Sequence, residues 1–265
     1  MIHMHKIILI VTIVIITISA CTKKKNDWPD ALPVVEAYLA PGQIPAVQIT
    51  QELLYGSSGT PAPISGLTVQ IVHVGKSYTL HESGPGRYIS SSLPIIAGDT
   101  YQLSFTYNGR EVTATTVVPP SPAPVTASTT EMVVPQIGSG LSIPDPIQFS
   151  WHNPEEAYCL MVVRNMEANP QPITFNIGDQ IIEKPEPVFR MPPTRGRQQQ
   201  LSLGRFSYYG RHAVLVYRIQ PEYAALYENS GNSSLNLQAP ATNIQNGLGI
   251  FTGVHAADTI WVQVR

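Results

Sequence analysis

The chain has 265 residues, long enough for two domains of ordinary size, and its 43% apolar content excludes a disordered chain. Its 16 basic residues stand against 18 acidic ones, and the formal net charge of −2 leaves no electrostatic footprint for nucleic acid. Only 13% of residues are charged, whereas prolines number 24 and glycines 19, a balance suited to short strands joined by many turns rather than to helices.

The N-terminus opens with the weakly basic His3, His5 and Lys6 and continues into an apolar run over residues 7–18, with Thr12 and Thr17 within it. That run has the length of a secretory leader and is short for a membrane span. It ends in Ile18-Ser19-Ala20-Cys21, small residues directly before a cysteine, which is the pattern of a lipoprotein cleavage site. Residues 1–20 are therefore expected to be removed and Cys21 to become a lipidated N-terminus that holds the protein on the membrane; an uncleaved apolar anchor is the alternative. Loss of Lys6 with the leader takes the net charge from −2 to −3. Thr22 is not the aspartate of the best-known inner-membrane retention rule, so the outer membrane is the expected address. Residues 21–32, with Lys23-Lys24-Lys25, read as a polar tether. Lipidation of Cys21 leaves Cys159 as the remaining cysteine, which excludes a disulfide framework. Cys159 sits in the apolar run Tyr158-Cys159-Leu160-Met161-Val162-Val163, where a small buried side chain is the reading rather than a reactive thiol.

Residues 33–118 carry period-two alternation. Leu67, Val69, Ile71 and His73 alternate with Thr68, Gln70, Val72 and Val74 along one expected strand. Tyr101, Leu103, Phe105 and Tyr107 form another, and Asn108-Gly109 supplies a two-residue hairpin turn before Val112, Ala114, Thr116 and Val118 return. With strands at residues 34–38, 47–49, 78–80 and 87–89, the spacing is that of an immunoglobulin-like β-sandwich.

Residues 119–128 begin Pro119-Pro120-Ser121-Pro122-Ala123-Pro124, in which four of six residues lack an amide donor and cannot extend a ladder. This stretch is expected to run as a stiff spacer between two domains. Residues 129–265 restart the strand pattern with Ile147-Gln148-Phe149-Ser150-Trp151 and with residues 158–163, where a tryptophan on one strand and a tyrosine beginning the next suggest a fibronectin type III-like core. A strand at 213–219, a short helix starting at Pro221 and a closing strand through Ile260, Val262 and Val264 complete it. The expected fold class is all-β, with two such sandwiches in tandem behind a signal peptide.

Signs of chemistry are sparse. His73, His81, His152, His212 and His255 lie without metal-ligand spacing, although His73 and His81 could meet on neighbouring strands, and no metal or cofactor is expected. There is no Gly-x-Ser-x-Gly elbow. Glu155-Glu156 reads as a solvated turn, because neighbours in an extended segment point opposite ways. Gly247-Leu248-Gly249-Ile250-Phe251-Thr252-Gly253 lacks the lysine and following helix of a phosphate loop. Residues 243–253 are instead expected to form a fixed, exposed loop before the last strand. In that loop Asn243, Asn246, Gly247 and Gly249 would permit tight turns, and Ile250 and Phe251 would offer apolar anchors to a partner. The competing reading is that Ile244, Leu248 and Phe251 plug the end of the second sandwich. Tyr208-Tyr209, Tyr223 and Tyr227 are further candidates for an exposed aromatic cluster.

Two stretches carry a family resemblance. Leu32-Pro33-Val34-Val35-Glu36-Ala37-Tyr38-Leu39 resembles the opening strand, and Thr242-Asn243-Ile244-Gln245-Asn246-Gly247-Leu248-Gly249-Ile250-Phe251 the closing asparagine and glycine motif, of a Bacteroidota lipoprotein family known as domain of unknown function 4249. The resemblance covers about residues 32–265 and brings no catalytic residues with it. It implies an outer-membrane address on either face and company with an outer-membrane receptor or transporter of the TonB-dependent kind. The functional expectation is a non-enzymatic binding or accessory module; a structural or adhesive spacer is the alternative.

Overall fold

A computed structural model describes residues 31–53, 59–135, 143–173, 186–228 and 241–265. The leader, Cys21 and nearly all of the tether lie outside the described residues. Strands dominate, and among the described residues no helix is long and apolar enough to cross a membrane.

The first half supplies eight strands: β1 (Pro33–Leu39), β2 (Ala46–Gln51), β3 (Gln70–His73), β4 (Lys76–Thr79), β5 (His81–Gly84), β6 (Arg87–Ile89), β7 (Thr100–Tyr107) and β8 (Arg110–Val117). The expected β7–β8 hairpin is present, with Tyr107 opposite Arg110 and positive φ at both Asn108 (49°) and Gly109 (73°), as a type I′ turn requires. Val74, expected inside a strand, lies instead with Gly75 in the β3–β4 turn at φ 46°, a left-handed conformation that a β-branched residue adopts only under constraint. Alternation sends Val35, Ala37 and Leu39 of β1, Val47 and Ile49 of β2, Ile71 of β3, Leu103 and Phe105 of β7 and Val112 of β8 into one core.

The second half continues with β9 (Thr126–Ala127), β10 (Glu131–Met132), β11 (Ile147–Ser150), β12 (Cys159–Asn165), β13 (Val188–Arg190), β14 (Gln198–Leu201) and β15 (Gly210–Ile219). Helix α1 (Pro221–Glu228) starts at the expected proline, and β16 (Leu248–Ala256) and β17 (Ile260–Val264) close the chain. A second core gathers Phe149, Trp151, Cys159, Met161, Val214, Val216, Val262 and Val264. Cys159 is a core side chain, and burial pushes its thiol pKa up, away from the reactive thiolate.

The halves are joined by more than the proline run. Strand β16 pairs in parallel with β1 through residues 248–253, then antiparallel with β15 through Val254–Ala256. One ten-stranded sheet therefore runs through both halves among the described residues. Alternation carried across the pair Arg218–His255 puts Phe251 of the first core and Val216 of the second on the same face of that sheet. On this face the sheet β4-β3-β7-β8 covers one core and β14-β11-β9 the other. Each core is flanked by a parallel pairing of an early and a late strand, β1 with β16 and β10 with β17. The boundaries 33–118 and 129–265 therefore do not close the first core by themselves, because Ile244 and Phe251 belong to it.

Side chains complete the seam. Glu222 of α1 accepts hydrogen bonds from the hydroxyls of Thr116 (2.8 Å) and Thr252 (3.0 Å), and Gly253 N–H donates to Thr116 Oγ1 at 3.0 Å. A Cβ on Gly253 would lie 2.4 Å from the Val117 carbonyl oxygen, so glycine is what lets β8 and β16 approach. The proline run makes no ladder, as expected, yet it is no free spacer. Pro119 and Pro122 are buried, and the Pro119 carbonyl accepts from His255 Nδ1 at 3.0 Å.

His212, 2% exposed, yields a pH prediction. Its Nδ1 donates to the Gly210 carbonyl at 3.1 Å, and its Nε2 accepts from Asn165 Nδ2 at 3.2 Å. The amide cannot turn to accept instead, because Nδ2 also donates to the Tyr209 carbonyl and Oδ1 takes the Glu167 N–H. A second ring proton would face amide hydrogens. Burial holds His212 below the ordinary histidine value of 6.5, against the opposing pull of the Gly210 bond and Glu167. The unfolded chain takes up this proton first as pH falls. The contribution is present above about pH 6.5 and lost as pH drops through the lowered folded value. Urea midpoints measured between about pH 8 and 5 should fall on the acid side, and His212→Gln should reduce that slope.

Candidate functional site

The segment expected to contact a partner is architecture instead. Ile250 is 4% exposed and Phe251 0%, and both lie within β16. Asn243 replaces a missing strand: its Oδ1 accepts the Phe251 N–H at 3.0 Å and its Nδ2 donates to the Phe251 carbonyl at 2.7 Å, on the edge of β16 turned away from β1. Asn246 adopts φ 57° and donates to the Glu111 carbonyl at 2.9 Å. A Cβ on Gly247 would meet the Pro33 carbonyl oxygen at 2.9 Å, and one on Gly249, at φ 96°, would lie 2.0 Å from that of Val35. The asparagines satisfy backbone groups and the glycines admit close strand contact. Core filling therefore accounts for Phe251, and the core it fills is the first.

The other sequence candidates separate. His73 is a satisfied core histidine, with Nε2 2.7 Å from Asp99 Oδ2 and its ring stacked on Tyr101 at 4.6 Å, whereas His81 is exposed at the start of β5. Glu155 pairs with Arg218 and Glu156 with Arg195, in a turn held by Asn153, whose side chain bonds both backbone groups of Ala157. A groove of about 280 Å³ follows the seam past Pro119, Pro120, Tyr158, Arg195, Arg218 and Pro221. Both of its arginines are already answered by those glutamates. Tyr208 and Tyr209 are both half-buried, and Tyr209 packs against the second core. Among the described residues no three His, Cys, Asp or Glu side chains gather as metal ligands.

Tyr223 and Tyr227 do come together, on the opposite face of the ten-stranded sheet. Helix α1 sits there because Ala224 packs into a third, small core with Leu160, Ile219 and Val254, all on the phase that points away from the two large cores. The rings of Tyr223 and Tyr227 lie 6.2 Å apart, and Tyr38 of β1 joins them at 5.3 Å from Tyr223. Tyr38 remains 38% exposed. It was legible only as a tyrosine on the outward phase of β1, between the inward Ala37 and Leu39. Burial, reinforced by Tyr227, pushes the Tyr223 phenol up to about 12. Burial, with Tyr223 and Glu36 adding to it, drives Tyr38 well above the ordinary tyrosine value. These phenols stay neutral and able to donate, which makes the cluster an aromatic platform with fixed polar edges. Tyr217 of β15 packs on the same small core, and burial raises its phenol pKa against the opposing pull of the Arg190 and Arg164 guanidinium groups.

Residues 25–260 match the model of a family described as "Domain of unknown function (DUF4249)". No curated protein matches the chain. Among solved structures, one of chicken CNTN1 FN1–FN3 domains aligns at 14% identity over 89% of this chain and 67% of that one, with a TM-score of 0.26.

Proposed function

The chain belongs to the DUF4249 family, and from that membership and the partly exposed tyrosine cluster we propose that it is a non-enzymatic binding or accessory module, lipid-anchored through Cys21 on the outer membrane. Its two lobes, of immunoglobulin-like and fibronectin type III-like kind, would be a rigid carrier for the face around α1, and the partner would be an outer-membrane receptor or transporter of the TonB-dependent kind. The observation that carries this reading is the placement of Tyr38, Tyr223 and Tyr227 on the face opposite the two large cores, where a spacer would need only a polar skin. Tyrosine supplies large contact area at low entropic cost, which suits a recognition surface.

Purification of the intact protein from its native membrane in mild detergent tests it. A stoichiometric partner should be recovered with the wild type and lost, by about tenfold or more, with Tyr38→Ala/Tyr223→Ala, while the variant keeps a cooperative melt. Recovery of no partner, or of one that ignores both tyrosines, would leave the spacer as the better reading. The anchor has its own test. Cys21→Ala should take up no fatty-acid label and should leave the membrane fraction; a labelled, membrane-bound variant would overturn the address.

A further inference from the structure

Beyond α1 the same face is arginine-rich. Cross-strand register places Arg164 beside Ala213 and Trp261, Arg190 beside Val162 and Leu215, and Arg211 beside Gln263, in successive rows on the phase that points away from the second core. All three arginines are exposed, and the four ion pairs among the described residues involve none of them. Register places Glu131 of β10 on the Arg211 row, beyond Gln263, but its carboxylate pairs with Arg265, and the Oε1 of Glu167 is taken by the Arg211 backbone N–H at 2.7 Å, not by the guanidinium. The Arg211 guanidinium instead lies 3.7 Å over the ring of Trp261, which is 41% exposed, and Met166, 48% exposed, follows Asn165 at the end of that row. Among the described residues, three cations that form no ion pair therefore stand together around exposed aromatic and aliphatic groups, in a chain with a net charge of −2.

We propose that this face docks an acidic polypeptide segment of the partner, with Arg164, Arg190 and Arg211 taking its carboxylates and Trp261 and Tyr217 packing against its apolar side chains. The proposal rests on the accessory-module reading above and names the chemistry of its partner. Guanidinium groups match carboxylates in planar, two-point fashion, and tryptophan, tyrosine and arginine are the side chains that carry most interface energy. An acidic segment supplies the missing charge, and its backbone and side chains supply the contact for Trp261 and Tyr217, which stand two rows apart on the same face.

The probe is a fluorescein-labelled peptide of ten glutamates and one tyrosine, titrated into the full-length protein at low ionic strength. A sulfated hexasaccharide and phosphatidylglycerol vesicles form parallel arms. The peptide should bind, weaken as salt rises, and lose about tenfold in affinity with Arg164→Gln/Arg190→Gln/Arg211→Gln, whereas Arg87→Gln/Arg110→Gln should change nothing. All three substitutions are on exposed side chains, so an unchanged melting temperature shows that the loss is of binding. The proposal is overturned if the peptide does not bind, if the triple variant binds it as the wild type does, or if the saccharide or the vesicles bind more tightly through the same arginines. Those failures are separable from failure of the accessory reading, because a native partner that still depends on Tyr38 and Tyr223 would leave that reading standing.

Discussion

Residues 32–120 expressed alone should fail to fold, although they contain eight strands and most of a core. Strand β1 would lose its six-residue parallel ladder with β16, leaving the backbone groups that face it unpaired, and the core would lose Ile244 and Phe251. Each of those side chains contributes about 1.5–3 kcal/mol when buried, and a domain of this size holds only about 5–15 kcal/mol in total. The fragment should show a weak, non-cooperative urea transition and bind a hydrophobic dye. Joining residues 241–256 to its C-terminus through a flexible linker should restore a cooperative transition. A sharp two-state melt of the 32–120 fragment by itself would show that the shared strand is dispensable. Limited proteolysis of the whole protein bears on the same point: cuts beside the proline run should not release a stable N-terminal piece, because the strand that closes it lies more than a hundred residues downstream.

Phe251→Ala should lower the melting temperature by roughly 10 °C, the largest effect expected of any single truncation near the motif. The ring is 0% exposed and lies in the first core, on the strand that enters both lobes. Removing a buried aromatic costs about 3–5 kcal/mol, and in a chain of this length each kcal/mol moves the midpoint by about 2–4 °C. Asn243 holds the same residue's backbone, so the cavity cannot close by a shift of β16 without breaking two hydrogen bonds. Partner recovery at low temperature, where the variant remains folded, should match the wild type. A shift of only a degree or two would mean that the ring adds little to the core.

Much of the architecture follows from local pattern. The β7–β8 hairpin was legible because Asn108-Gly109 meets the turn's demand for positive φ and the alternation on either side sets the register. The proline start of α1 and the alternation of β17 are equally local. The polar strand Gln198–Leu201 and the two-residue strands β9 and β10 were not, because so short or polar a stretch carries no periodic signal and pairs only when a neighbour presents an edge.

The candidate face divides in the same way. The sequence by itself determined the strand type of β7, β8 and β17, the turn between β7 and β8 and the start of α1; these depend on neighbours a few residues apart. It also marked residues 243–253 as conformationally special, through glycines and asparagines that tolerate positive φ. Only the tertiary structure decided what that segment does. Whether Phe251 is a contact or a core side chain turns on the parallel pairing of β16 with β1, two strands separated by most of the chain. The same long-range pairing brings Tyr38 within reach of Tyr223, and the cross-strand register of β12, β13, β15 and β17 gathers Arg164, Arg190, Arg211 and Trp261 on one surface. Alternation says which side of a strand a residue occupies, but strand partners are chosen by the burial of the whole sheet, and that choice is where a surface becomes a site.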